Sequence, residues 1–437
     1  MRFLLVITHA PYPPTGGSRI RQAAVLDAFG KLGSLDVCIV GDEREWRQSI
    51  PHPAVRKVLC LRRPAPATGQ DGRLPGRRRL VREARWWLTG APGALVGVAP
   101  PRRIAAADRR ALRERILAWA DGDYDAVWLD DTSVGWWLAG ELPGPTILDL
   151  DDRPDLLLMQ RRADLSATDP QRLVFSALAR AYRAASRGAI ARSTVVVVPS
   201  DADARRAADL LPPVRPPHLV VVPNAYPAPA YGPDSTSSTL GEHGRGSRGS
   251  DNPPGDPPTV ALVGHTGYPP NLEGMRWFCA DVLPHLRSRV PRVRVLLVGS
   301  GTDTIPEADL DGIEALGWVR DMRPVLAQTD VLAVPLLSAT GTRLKILEAF
   351  AHCIPVVSTT VGAEGLPVVA GEHLLVSDDP ESFAESCAAA LSEETVRVHV
   401  VANARRLWKE NFTPQAVRSA IRRAVELASG RNPCIDA

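Results

Sequence analysis

The chain has 437 residues, 45% of them hydrophobic, and a formal charge of +3. That length accommodates two domains of ordinary size, each with its own core. The apolar content and near-balanced charge exclude a largely disordered chain and give no global electrostatic case for nucleic acid.

Arg2 to Thr8 is a continuous apolar run, which predicts a strand buried on both faces of a parallel sheet. At about six apolar residues it is too short for a signal-peptide core, and no run approaches the roughly 18 of a membrane span, so a cytoplasmic protein is expected. HAPYPPTGGSRIRQAAVLDAFGKLG follows. Pro13 and Pro14 stiffen the loop, Gly16 and Gly17 allow close backbone approach, and Ser18 predicts the N-cap of a helix bearing Val25, Phe29 and Leu32. Such a strand, loop and helix either holds an anion or is simply a turn.

Leu35 to Val40 reads as a second strand. Residues 61–90 are rich in arginine and reach Trp86 and Trp87. They read either as a basic segment resting on anionic lipid, which makes residues 62–90 a peripheral contact with the inner membrane face, or as a solvated insertion whose tryptophans dock on the domain. Tyr124–Leu129 and Thr146–Leu150 are further strands, the second running into Asp149, Asp151 and Asp152. A carboxylate cluster there fits acid/base chemistry, a metal or turn capping. A helix over 170–191, a strand Thr194–Val198 and a strand Leu219–Val222 close the first half.

Residues 226–258 are dominated by Gly, Ser and Pro and predict a flexible linker. The expected organisation is a first domain over 1–225, the linker, a second domain over 259–412, and a helix crossing back with a tail over 413–437. The second domain opens with strand Thr259–Val263 and GHTGYPPNLEGMRWF, where Gly264 and Gly267 permit close approach of a ligand. Asn271 is expected to begin a helix with Met275 and Phe278 facing inward. Strands Val293–Val298 and Ile313–Val319 follow, with turns at Gly299, Gly301 and Asp321.

VLAVPLLSATGTRLKILEAFAHCIPVVSTTVGAEGL then reads as strand, small-residue loop, helix, strand and turn, a βαβ unit. Ser338, Thr340, Gly341 and Thr342 offer amides and hydroxyls at a helix N-terminus, with Arg343 and Lys345 adding positive charge. Lys345, Glu348 and His352 form one stripe of the helix, either lining a cleft or facing solvent. The six cysteines (Cys38, Cys60, Cys279, Cys353, Cys387, Cys434) show no zinc-site spacing and are expected to be reduced and mostly buried.

The segment LLSATGTRLKILEAFAHCIPVVSTTVGAEGL resembles the donor-binding segment of the retaining GT-B glycosyltransferases of the GT4 type, the glycosyl transferases group 1. Cys353 stands where the family has glycine. In that family two glutamates eight positions apart contact the donor. Glu348 matches the second, which binds the ribose hydroxyls, and Thr340 stands at the first, near the transferred sugar. The arrangement P-x-P-x-x-G-G-x-x-x-R resembles the family's first loop, so Gly16, Gly17 and Arg19 or Arg21 inherit a place facing the donor phosphates. The phrase around Gly264 is similar to one subgroup's loop, and GAEGL implies Glu364 and Gly365 at the mouth of the donor site. Where the family often carries a His-Asp pair near the acceptor, Asp151 occupies the histidine's place and Asp152 follows.

The resemblance implies an α/β protein of two doubly wound Rossmann-like domains facing an interdomain cleft. The implied function is retaining transfer of a sugar from a nucleotide-sugar to a glycan, lipid-linked or small-molecule acceptor. Arg343, Lys345 and Asp152 would be catalytic; Gly16, Gly17, Arg19, Gly264, Gly341, Thr342, Glu348, Glu364 and Gly365 would bind the donor. No metal, other cofactor or nucleic acid is implied. Alternative readings are a non-catalytic nucleotide-sugar-binding protein of the same fold and a UDP-sugar 2-epimerase.

Overall fold

A computed structural model of the chain describes residues 1–9, 11–12, 17–41, 52–62, 106–130, 132–151, 153–228, 257–338 and 343–430. The chain divides into two compact units, Met1–Asn224 with Val417–Ala437, and Ala225–Ala416.

The first unit is built on seven strands: β1 (Arg2–Ile7), β2 (Ser34–Gly41), β3 (Val55–Arg62), β4 (Ala126–Leu129), β5 (Thr146–Asp149), β6 (Val195–Val198) and β7 (His218–Val221). They form one parallel sheet in the order β3-β2-β1-β4-β5-β6-β7. Leu5 of β1 sits between Val37 of β2 and Trp128 of β4. Central strands such as β4 and β6 are wholly apolar and wholly buried because crossover helices cover both faces. The helix Gln171–Ala191 contributes Phe175, Ala179, Tyr182, Ser186, Ala189 and Ile190, a single buried stripe at helical spacing.

The second unit carries β8 (Thr259–Val263), β9 (Arg294–Val298), β10 (Ile313–Gly317), β11 (Val331–Val334), β12 (Val356–Ser358) and β13 (Leu375–Val376). Their order is β10-β9-β8-β11-β12-β13, again with every neighbouring pair parallel. The chain thus holds two Rossmann-like α/β sheets with the same winding. Met275 and Phe278 are buried, as the sequence predicts.

Several expectations need correction. The first helix begins at Gly17, so Ser18 lies inside it and is no N-cap; Val25 and Phe29 are buried, but Leu32 falls beyond the helix end at Gly30. The second unit's first helix begins at Pro269, two residues before Asn271, because proline is preorganised for a first helical turn. Tyr226, grouped with the linker by composition, is an anchored part of the second unit. Of the thiols among the described residues, Cys38, Cys279 and Cys387 are buried, Cys353 is half-buried and Cys60 is exposed on β3, and none is in a disulfide. Trp86 and Trp87 lie outside the described residues, as does most of the arginine-rich segment. Among the described residues, no helix is long and apolar enough to cross a membrane.

Candidate functional site

In the second unit β8 and β11 are neighbours from which the chain winds off in opposite directions, toward β9 and toward β12. A crevice at the carboxyl ends of such a strand pair is where open parallel sheets bind ligands. The helix Pro269–Trp277 packs so tightly there that a Cβ on Gly274 would lie 2.3 Å from the carbonyl oxygen of Pro335. Gly264 has the same constraint, since a Cβ on it would fall 2.5 Å from the amide carbon of Asn271. With no room to turn, the Asn271 amide is fixed. Its Nδ2 donates to the His265 carbonyl at 3.1 Å and its Oδ1 accepts from Lys345 Nζ at 2.9 Å.

Lys345 and Glu348 stand one turn apart on the helix Leu344–Ala351, which follows β11. Ile346, Leu347, Ala349, Phe350 and Ala351 of that helix are buried, and Lys345, Glu348 and His352 are half-buried. The stripe is thus half-buried, with Lys345 and Glu348 each hydrogen-bonded to a side chain. Burial, helped by the charge of Arg343, pulls the Lys345 ammonium down to about 7. Burial also raises Glu348, against which the hydrogen bond from Tyr226 acts; the Tyr226 hydroxyl donates to Glu348 Oε1 at 2.6 Å. His265 is lowered by burial and then by the charge on Lys345.

Arg343 precedes the helix, is buried, and donates from Nη2 to the Val361 carbonyl at 3.0 Å. That contact joins the start of the helix Leu344–Ala351 to the one-turn helix Thr360–Ala363, after which come Glu364 and Gly365, the latter at φ 85°. Ser338 Oγ is buried without a hydrogen-bond partner among the described residues, a polar atom available to a ligand. At the other end of the helix Cys353 adopts φ 57°, and Ile354 N donates back to the Ala349 carbonyl at 2.9 Å. This left-handed closure is the position at which glycine is favoured.

The first unit treats its candidates differently. Arg21, 3% exposed, donates from Nε and Nη2 to both carboxylate oxygens of Asp149 at 2.7 Å, and from Nη1 to the Val222 carbonyl at 3.1 Å and Asn224 Oδ1 at 2.8 Å. It is a structural clamp between the first helix and the ends of β5 and β7. Asp151 Oδ1 stays 3.9 Å from Arg21 Nε. Burial, with Asp149 and Asp203 nearby and Arg21 opposing, pushes the Asp151 carboxyl up to about 6. Arg19 is half-buried on the same helix, of which Gly17 is the first residue. Gly16, Asp152, Thr340, Gly341 and Thr342 lie outside the described residues. No group of side chains suited to hold a metal occurs among the described residues.

The structure therefore brings together Gly264, Arg343, Lys345 and Glu348 in one unit and leaves Arg19 in the other. Sequence reasoning missed Tyr226 and gave Asn271 only a helix start. Their signals were an aromatic among prolines and alanines, and an asparagine directly after a proline pair.

Residues 257–393 match the model of the family described as glycosyl transferases group 1. Arg343, Lys345, Glu348 and Asn271 all fall within the matched stretch, and Tyr226 lies ahead of it. A sucrose-phosphate synthase from Thermosynechococcus elongatus shares the fold with a TM-score of 0.63 at 15% identity, over 97% of this chain and 98% of that one. HepE from Anabaena, solved in complex with UDP-glucose, gives 0.62 at 13% identity over 97% and 99%. The two sheets are those of the GT-B glycosyltransferase fold. An uncharacterized 44.6 kDa protein in the cps region of Klebsiella pneumoniae is 26% identical over 172 residues, which take in 37% of this chain and 44% of that relative. The chain thus spans less than half the length of the curated relative it matches.

Proposed function

We propose that the chain is a GT4-type glycosyltransferase that moves a hexosyl group from a nucleotide-sugar to an acceptor hydroxyl with retention of configuration. The observation that carries this reading is the pair Lys345 and Glu348, one helical turn apart and half-buried on the helix that follows β11, inside the stretch that matches the group 1 glycosyltransferases.

In this reading the Glu348 carboxylate accepts hydrogen bonds from the two ribose hydroxyls, and Lys345 with Arg343 faces the diphosphate. The bond from the anomeric carbon to the diphosphate oxygen breaks, its electron pair leaving with the nucleotide diphosphate. The acceptor oxygen bonds to that carbon from the same face, and its proton passes to the departing phosphate oxygen. Fixed cations stabilise the charge that grows on the leaving group, with no reorganisation needed at the moment of reaction. Two protein cations at the diphosphate also make binding without a divalent metal the expected behaviour. The acceptor is a glycan, a lipid-linked glycan or a small molecule; the relative in a cps region supports a place in polysaccharide biosynthesis.

Calorimetry with UDP, GDP and ADP, in the presence of a chelator, tests the donor half. One nucleotide should bind selectively, and Glu348→Ala should weaken it about ten-fold, the loss of a charge-assisted hydrogen bond. Absence of binding to all three overturns the reading.

A further inference from the structure

Tyr226 stands one residue beyond the point where the chain enters the second unit. Its backbone is held on both sides, N donating to the Phe412 carbonyl at 2.9 Å and O accepting from Trp408 Nε1 at 3.2 Å. Its ring meets His352 edge-on, the centroids 6.3 Å apart. From this fixed base the hydroxyl reaches Glu348 Oε1 at 2.6 Å, a length typical of a hydroxyl donating to a charged carboxylate. Among the described residues no donor reaches Oε2.

We infer that Tyr226 is the positioning residue of the donor site: it holds Glu348 Oε1 so that Oε2 is presented to the vicinal ribose hydroxyls of the nucleotide. This rests on the ribose role proposed above for Glu348. A carboxylate on a flexible side chain loses rotamer entropy when it must accept two hydroxyls at once, and a partner that fixes its plane beforehand removes that cost from binding. The hydroxyl has a second effect, because a donor to the ionised form opposes the upward push of burial on Glu348. Other charged or titratable groups around the carboxylate are Lys345 and His352 one turn away on its own helix, and Arg343 at the helix start. From the neighbouring helix Glu394–Asn411, Arg405 bonds to the Ala351 carbonyl.

The test compares wild type, Tyr226→Phe and Glu348→Ala by calorimetry from pH 6 to 8.5. The probes are whichever of UDP, GDP and ADP binds wild type, and its 2′,3′-dideoxy form. Taking the ratio of the two affinities cancels the titration of Lys345, which both probes share. Wild type should prefer the ribose form by about ten-fold, and Glu348→Ala should lose the preference. Tyr226→Phe retains the ring contact and both backbone bonds, so its Tm and its affinity for the dideoxy form should match wild type. Its ribose preference should drop to about three-fold and vanish at a higher pH than in wild type as pH falls, because Glu348 protonates sooner. A Tyr226→Phe protein with the wild-type preference at every pH, beside a Glu348→Ala protein that has lost it, overturns the positioning role and leaves the donor site standing. If Glu348→Ala keeps the preference, or no nucleotide binds wild type, the donor-site reading fails and the inference with it.

Discussion

The two sheets share a strand order and therefore a switch point, β1 beside β4 in one and β8 beside β11 in the other. At the first, the described charged groups pair with one another. Asp130 accepts from Thr8 N at 3.3 Å, from Thr8 Oγ1 at 3.2 Å and from Gln22 Nε2, while Arg21 nearby makes four hydrogen bonds within the unit. At the second, Lys345 has one hydrogen-bond partner among the described residues and Glu348 has one. Topology fixes where a ligand can enter, and side-chain pairing decides whether charge is left for it.

Substitution should separate the two sites cleanly. Arg21→Ala leaves Asp149, 1% exposed, as an unpaired buried charge, and should cost about 3–5 kcal/mol in denaturant-induced unfolding. Lys345→Ala leaves only a neutral amide without its partner, so unfolding should change by less than about 1 kcal/mol while nucleotide affinity falls more than ten-fold. If the two variants lose comparable stability, the distinction between a clamp and a ligand cation is wrong. The pH dependence sharpens it further. Lys345, pulled down to about 7, is charged below that pH and neutral above it, and a bound diphosphate favours the charged form. Nucleotide affinity should therefore fall as pH rises through 7, by up to about ten-fold per unit, with a proton taken up on binding. Calorimetry in buffers of different ionisation enthalpy reads that proton directly; a flat profile with no uptake rejects the assignment. The smallest effect concerns the helix end. Cys353→Gly relieves a left-handed residue worth about 1–2 kcal/mol, partly offset by the freedom glycine adds to the unfolded chain. A net gain of about 0.5–1 kcal/mol in thermal or chemical unfolding is expected.

Strands buried on both faces were readable because they are unbroken apolar runs, as in VVVV of β6 and VLAV of β11. The edge strand β3 was not, since VRKVLCLR alternates: Arg56, Val58 and Cys60 face solvent, and Lys57 turns in to lie over the Trp119 ring. Lys345 and Glu348 were legible because their three-residue spacing follows a buried strand and a loop of small residues. The fate of Arg21 was not, for its partner Asp149 is 128 positions away, and nothing local distinguishes it from Arg19. Tyr226 was hidden in the same way: its bond to Glu348 spans 122 positions, and its neighbours have the composition of a linker.

The first unit is assembled from two pieces of chain, and its last piece is the final helix, Pro414–Ser429, which buries Val417, Ile421, Ala424, Val425 and Ala428. During synthesis the seven-stranded sheet therefore exists for the whole time the ribosome takes to make the second unit before that helix is available to it. At about 5–20 residues per second, the interval is roughly 10–40 seconds. Until then the apolar surface destined for the helix is open to solvent, so a nascent chain arrested within the second unit is the aggregation-prone species that chaperones must shield.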